Sequence, residues 1–414
     1  MRDNRERRVG WRESNNTFTG GLSMNSFTFC CPTRIVFGAD TVRLAGKQVK
    51  DFGGTRVLII YGGGSVVENG VLKIVTQSLE EEGIEYSCVG GVRPNPYVEF
   101  AQQIVDDFKD KKIDFILGVG GGSVLDTAKG VSYGLASPDT PIWDYFYKLT
   151  PVTAIVSVGA VLTIAAAGSE TSISAVLTSQ TTGLKRGVNS QLNRPSFAIM
   201  DPTLMYDLPP HQTACGITDI LMHTLDRYFA PEADNALTDV FAEALMRVVI
   251  QNGRTSMREP ANYSARSELM WAGSLSHSDF TGLGRALDFS VHTLGNPVSS
   301  NYDIPHAESL SVMWPAWARF VYREDIPRFA GYARNVWAVS SDNDEIAAQT
   351  GINATEEYFR SIGMPVRLTD AVGDRVKDDI ELLIDLCTYS GARIVGAFKV
   401  LSIEDIREIY RAAI

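Results

Sequence analysis

Two periodicities divide this sequence near residues 201–210. Before that point, short runs of apolar and β-branched residues alternate with runs that repeat every three to four positions: 56–61, 72–82, 85–89, 98–109, 114–119, 124–133 and 153–162. A strand shows a period of two or an unbroken apolar run, whereas a helix shows an apolar stripe at i, i+3 and i+4. The alternation predicts an α/β half, a mostly parallel sheet with helices on both faces. After 210 the apolar period is helical almost throughout, as at 239–251, 264–277, 345–362 and 403–412. The second half is therefore expected to be all-α.

The punctuation between these runs carries the first chemistry. The apolar run 114–119 leads into Gly120-Gly121-Gly122-Ser123 and then into the helix-forming stretch that begins at Val124. A strand, a glycine turn and a helix start let backbone approach a ligand closely, and the unpaired N–H groups of the first helical turn attract phosphate. An earlier copy exists, in which 56–61 leads into Gly62-Gly63-Gly64-Ser65. Two strands that end in glycine turns point to a dinucleotide rather than a lone phosphate.

A second chemistry lies in the helical half. Of only five histidines in the chain, three join one aspartate at spacings that suit a single divalent ion: Asp219, His223, His292 and His306. Asp219 and His223 are four residues apart within an apolar-periodic run, so they share one helix face. On an unbroken helix His292 and His306 would stand roughly 21 Å apart at 1.5 Å per residue, too far for one ion. The chain must turn between them. Gly295 and Pro297 are expected to end the first helix, and Asp303-Ile304-Pro305 to open the next. One carboxylate and three imidazoles form a borderline-hard donor set that fits Zn²⁺ or Fe²⁺ better than Mg²⁺, Ca²⁺ or Cu⁺. His211 and His277 match no ligand spacing and read as structural.

Composition adds limits. At 414 residues the chain exceeds what one hydrophobic core supports, so two domains are expected, 25–205 and 206–414. A net charge of -11 argues against a nucleic-acid or acidic-membrane partner. Residues 1–24 are polar and arginine-rich without an apolar signal core, which reads as a disordered tail. The uncharged stretch 149–169 is too broken for a membrane span and reads as buried strands flanking a loop. Five cysteines without CxxC spacing read as reduced thiols in a cytoplasmic protein.

Over roughly residues 25–412 the chain resembles the iron-containing (group III) alcohol dehydrogenases, and within them the branch of NADP-dependent butanol dehydrogenases and broad-range aldehyde reductases. The resemblance rests on GGGSVLDTAK (120–129), AGSETSISAVLT (167–178), DPTLMYDLPP (201–210), EPANYSARSELMW (259–271), the Asp219/His223 segment and the stretch from His292 to His306. It implies a dinucleotide-binding α/β domain and a metal-binding helical domain, with Asp219, His223, His292 and His306 as metal ligands. It implies further that Gly121, Gly122 and Ser123 hold the cofactor pyrophosphate, that Thr163 lines the same cleft, and that Asp126 faces the nicotinamide or substrate. An equally good reading makes Asp126 a charge that complements its helix dipole. The activity implied is hydride transfer between primary alcohols and aldehydes, in a homodimer, with the ion as Lewis acid and template.

Cofactor choice falls on the earlier glycine turn, Gly63 with Ser65. Relatives that prefer NAD carry a carboxylate where this chain has Gly63, and without it the repulsion of a 2′-phosphate is gone, which predicts NADP with NAD as the lesser cofactor. Three positions depart from the family pattern: Asn296 replaces a histidine discussed as part of a proton path, Gln180 a lysine near the nicotinamide ribose, and Ala167 a loop threonine. Sister activities on glycerol and other polyols or on hydroxyacid–oxoacid pairs share the same donors, and a non-catalytic nucleotide- and metal-binding protein is a further alternative. No strongly basic substrate pocket is legible in the sequence.

Overall fold

The computed structural model describes residues 24–231 and 235–414; the tail expected at 1–24 lies outside them but for its last residue. Six strands form one parallel sheet in the order β1-β8-β5-β4-β2-β3: β1 Arg34–Phe37, β2 Arg56–Tyr61, β3 Glu85–Val89, β4 Phe115–Gly120, β5 Ser157–Leu162 and β8 Phe197–Met200. β6 Ser174–Thr178 and β7 Lys185–Asn189 form a separate antiparallel hairpin that the periodicity did not reveal.

Alternation along β2 explains the layering. Val57 and Ile59 face one side, where they meet the helices Ala45–Asp51 and Val71–Glu81. Leu58 and Ile60 face the other and meet Val98–Phe108 and Gly122–Ala136. A period of two puts neighbours on opposite faces, and helices on both faces bury every residue of β4. Successive strands wind outward in both directions from β2, so strand order reverses between β2 and β4. Both glycine turns leave the carboxyl ends of these two strands, at the crevice where open α/β sheets bind ligands.

From Pro210 onward the regular elements among the described residues are helices, packed around Trp314, Trp317, Phe229 and Phe329. One expectation is corrected. The helix that carries His292 does not end at Gly295 or Pro297 but runs Ser290–Tyr302, with Pro297 inside it. Proline removes one helical hydrogen bond, and the burial of Leu294, Pro297 and Val298 offsets that loss. The stop is Asp303, held in the left-handed conformation at φ 52°. Within 149–169 the structure forms one strand, β5, followed by a loop. Among the described residues no helix is long and apolar enough to cross a membrane.

Candidate metal and cofactor site

The helix Pro210–Tyr228 starts with proline at its first position, where a missing N–H costs nothing, and carries Asp219 and His223 on a buried face. His292 lies in the first turn of Ser290–Tyr302. His306 opens the helix His306–Val321, directly after Pro305. The reversal at Asp303 folds these two helices together. One oxygen of Asp219 and one ring nitrogen each of His292 and His306 lie within 4.8 Å of one another.

The fourth expected ligand stands at the edge of that set. His223 directs Nδ1 at Asp219 Oδ1, 3.5 Å away, and its ring centroid is 4.6 Å from that of His292. Among the described residues Asp219 Oδ1, His223 Nδ1 and His292 Nε2 are buried without a hydrogen-bond partner. Each such atom costs about 1–3 kcal/mol. Three of them gathered in one cluster are satisfied together by a cation, so the donor set fits a divalent ion.

Surrounding groups prepare these ligands. Asp226 Oδ2 accepts from His292 Nδ1 at 2.6 Å and from the His292 backbone N–H at 3.2 Å. That bond leaves Nε2 as the free lone pair, the arrangement common behind metal-bound histidines. Burial pushes the Asp219 carboxyl up to about 6, an effect that His292 and Lys185 oppose. Burial holds His223 and His306 well below the usual imidazole range, with a further push from His277 on the first and Lys185 on the second. Neutral imidazoles are the form that binds metal.

Sequence reasoning missed Lys185 and did not place His277 beside the cluster. Lys185 Nζ lies 3.5 Å from His306 Nδ1 and donates to Asn95 Oδ1 at 3.1 Å, and burial draws its ammonium down to about 8. Gln180, by contrast, is exposed, and its backbone N–H is taken by Glu99. His277, read as merely structural, packs against His223 with ring centroids 4.2 Å apart and donates Nδ1–H to Ala167 O at 2.7 Å. No spacing rule reaches from 277 to 223. His211 does lie apart, paired with Glu308 at 2.7 Å and half exposed.

The glycine turn connects to this cluster through two intervening residues. Gly121 precedes the helix Gly122–Ala136, and a Cβ there would fall 2.4 Å from Ile164 Cγ2. A Cβ on Gly122 would meet that of Ala167 at 3.0 Å. Contacts therefore run from the turn through Ala167 and His277 to His223. Thr163 lies beside the turn, its N–H bonded to Gly120 O at 3.1 Å. Gly63 is exposed, with nothing within 4 Å of a Cβ placed on it. Asp126 accepts from Ser169 Oγ at 2.7 Å and from the Val176 N–H at 3.1 Å, which ties the helix to the loop and to β6. Buried Lys129 completes that knot through Ser169 and Ser174.

Comparison with known proteins agrees with this architecture. Residues 32–202 match the family model for iron-containing alcohol dehydrogenase, and residues 213–414 match the Fe-containing alcohol dehydrogenase family, C-terminal model. The chain is 33% identical to NADH-dependent butanol dehydrogenase A of Clostridium acetobutylicum, over 94% of this chain and 99% of that one. It is 32% identical to the NADPH-dependent aldehyde reductase YqhD of Escherichia coli, over 94% and 100%. Among solved structures it is similar to NADH-dependent butanol dehydrogenase A from Thermotoga maritima, with TM-score 0.91 and 33% identity over 95% of this chain and 100% of that one.

Proposed function

The chain belongs to the iron-containing alcohol dehydrogenase family, and from that premise we propose that it interconverts primary alcohols and aldehydes with NADP(H). The observation that carries the reading is the gathering of Asp219, His292 and His306, with His223 against them. Those four residues would hold Fe²⁺ or Zn²⁺, and the bound ion would supply Lewis acidity and a template for the substrate oxygen. Gly121, Gly122 and Ser123 receive the pyrophosphate on unpaired N–H groups at a helix start. Thr163 lines the same cleft. Gly63 and Ser65 receive the ribose phosphate, and the open space at Gly63 favours NADP over NAD. Asp126 acts by holding β6 and the 163–173 loop in place, since both its oxygens are engaged. Unpaired cysteines at all five positions fit a reducing cytoplasm.

The test is oxidation of NADPH and of NADH with butanal by protein loaded with either ion, alongside elemental analysis. Turnover with NADPH favoured is the expected outcome. Efficiency with NADH well above that with NADPH would overturn the cofactor assignment. Undetectable turnover across a panel of aldehydes would leave a nucleotide- and metal-binding protein instead.

A further inference from the structure

On the helix Pro210–Tyr228 a metal-ligating residue type recurs at every fourth position: His211, Cys215, Asp219 and His223. Side chains four apart on a helix are neighbours, so these residues form a ladder with one rung per turn. The inner rungs, Asp219 and His223, are 6% and 4% exposed and belong to the buried cluster described above. The outer rungs reach solvent: the His211 side chain is 50% exposed, and Cys215 is partly buried.

The helix His306–Val321 adds a carboxylate at the outer end. Glu308 Oε1 lies 2.7 Å from His211 Nε2, and Cys215 Sγ lies 3.9 Å from the same nitrogen. The two contacts make opposite demands on it. A carboxylate needs Nε2 to carry a proton, whereas a thiol donates only to its lone pair. One ring nitrogen satisfies one of these partners at a time. A cation removes the conflict, because nitrogen, thiolate and carboxylate then all present lone pairs to it. Zn²⁺ accepts this mixed donor set, and the thiolate and carboxylate together match its two positive charges.

We propose that His211, Cys215 and Glu308 form a second site for a divalent ion such as Zn²⁺, an outer station from which the ion passes along the ladder to Asp219. The site stands on its own three residues, and the passage rests on the inner cluster holding an ion, as read above. Among the described residues only Asp219, His292 and His306 already bring three donor atoms within 4.8 Å of one another. The outer set closes round an ion when the half-exposed His211 ring turns between its two partners. On binding, the Cys215 proton leaves to solvent. Burial and the Glu308 and Asp219 carboxylates push the free thiol up to about 12, so the outer site holds its ion less tightly than one with a ready thiolate. Three protein ligands also leave a position for water, which suits a site that both loads and releases.

The test titrates metal-free full-length protein with Co²⁺ and follows its absorption. A thiolate bound to Co²⁺ gives a near-ultraviolet charge-transfer band, which the sulfur-free set of Asp219, His223, His292 and His306 does not produce. Two equivalents should bind, the weaker one with the band. Cys215→Ser should lose the band and that equivalent, and His211→Ala should weaken it at least about tenfold, as loss of one ligand requires. No band in the parent overturns the site, and so does a band that survives in Cys215→Ser, which another thiol must then supply. A single equivalent that carries the band would keep the outer site and sink the reading of the inner cluster. Passage is read as Co²⁺ that resists a brief chelator quench, sampled over time. It should accumulate several-fold more slowly in Cys215→Ser and reach the same final amount, and equal rates in parent and variant refute the passage. Should Cys215→Ser fail to fold by circular dichroism, a band of unchanged affinity in His211→Ala refutes the site.

Discussion

Asp226 shows how much of a metal site lies behind its ligands. Its carboxylate fixes His292 through two hydrogen bonds, one to the ring and one to the backbone N–H, and leaves Nε2 free. Loss of a partner of this kind generally costs 10- to 100-fold in metal affinity. Asp226→Ala is therefore expected to weaken metal binding by about that factor. Asp226→Asn, which keeps an acceptor oxygen, should lose less. Competition against a chelator of known strength reads both, and equal affinity in parent and Asp226→Ala would contradict the arrangement.

At the scale of elements, close backbone approach joins the two halves. The helix Pro210–Tyr228 presses on the loop after β5 so tightly that a Cβ on Gly216 would stand 2.2 Å from Ala165 O. Backbone on both sides cannot yield as a flexible side chain would. Gly216→Ala is expected to destabilise the protein by about 1–3 kcal/mol, the usual cost of overpacking, despite alanine's better helix propensity. Thermal unfolding of the variant reads the loss, and a higher melting temperature would show that the contact relaxes freely. His277 works at the same seam, since its bond to Ala167 O holds the loop against the helix Tyr263–His277 while its ring backs His223. Sequence spacing could not expose this role, because residues 167, 223 and 277 belong to three separate elements.

For the whole molecule, pH and metal act together. Without an ion, His223 and His306 have folded values depressed below the ordinary 6.5, so the unfolded chain binds more protons as the medium is acidified. Their contribution is complete above 6.5 and is lost as pH falls through the depressed values. Asp219, raised to about 6, has the opposite sign: its contribution is full below 3.8 and is lost as pH rises through about 6. Two imidazoles outweigh one carboxylate, so the melting temperature of chelated protein is expected to fall between about pH 7.5 and 5.5. Metal should raise it at neutral pH, by about 3–4 kcal/mol of stabilisation at 100 to 1,000 times Kd, and this gain should shrink on acidification as protons compete for the ligands. A melting temperature indifferent to both chelator and pH would count against a buried ligand cluster.

Local pattern determined a good deal of this protein. Periodicity separated the parallel sheet from the helical half, because strand and helix repeats follow from backbone geometry alone. Glycine turns after β2 and β4 and the pairing of Asp219 with His223 were legible because each lies within one strand–turn–helix unit or one helix. The reversal between His292 and His306 was required by distance, but its place at Asp303 depended on packing that carries a helix through Pro297. Only the tertiary structure decided that Lys185 stands against His306 and His277 against His223. Those placements depend on contacts between elements far apart in the chain, and no local repeat encodes which distant side chains a folded core brings face to face.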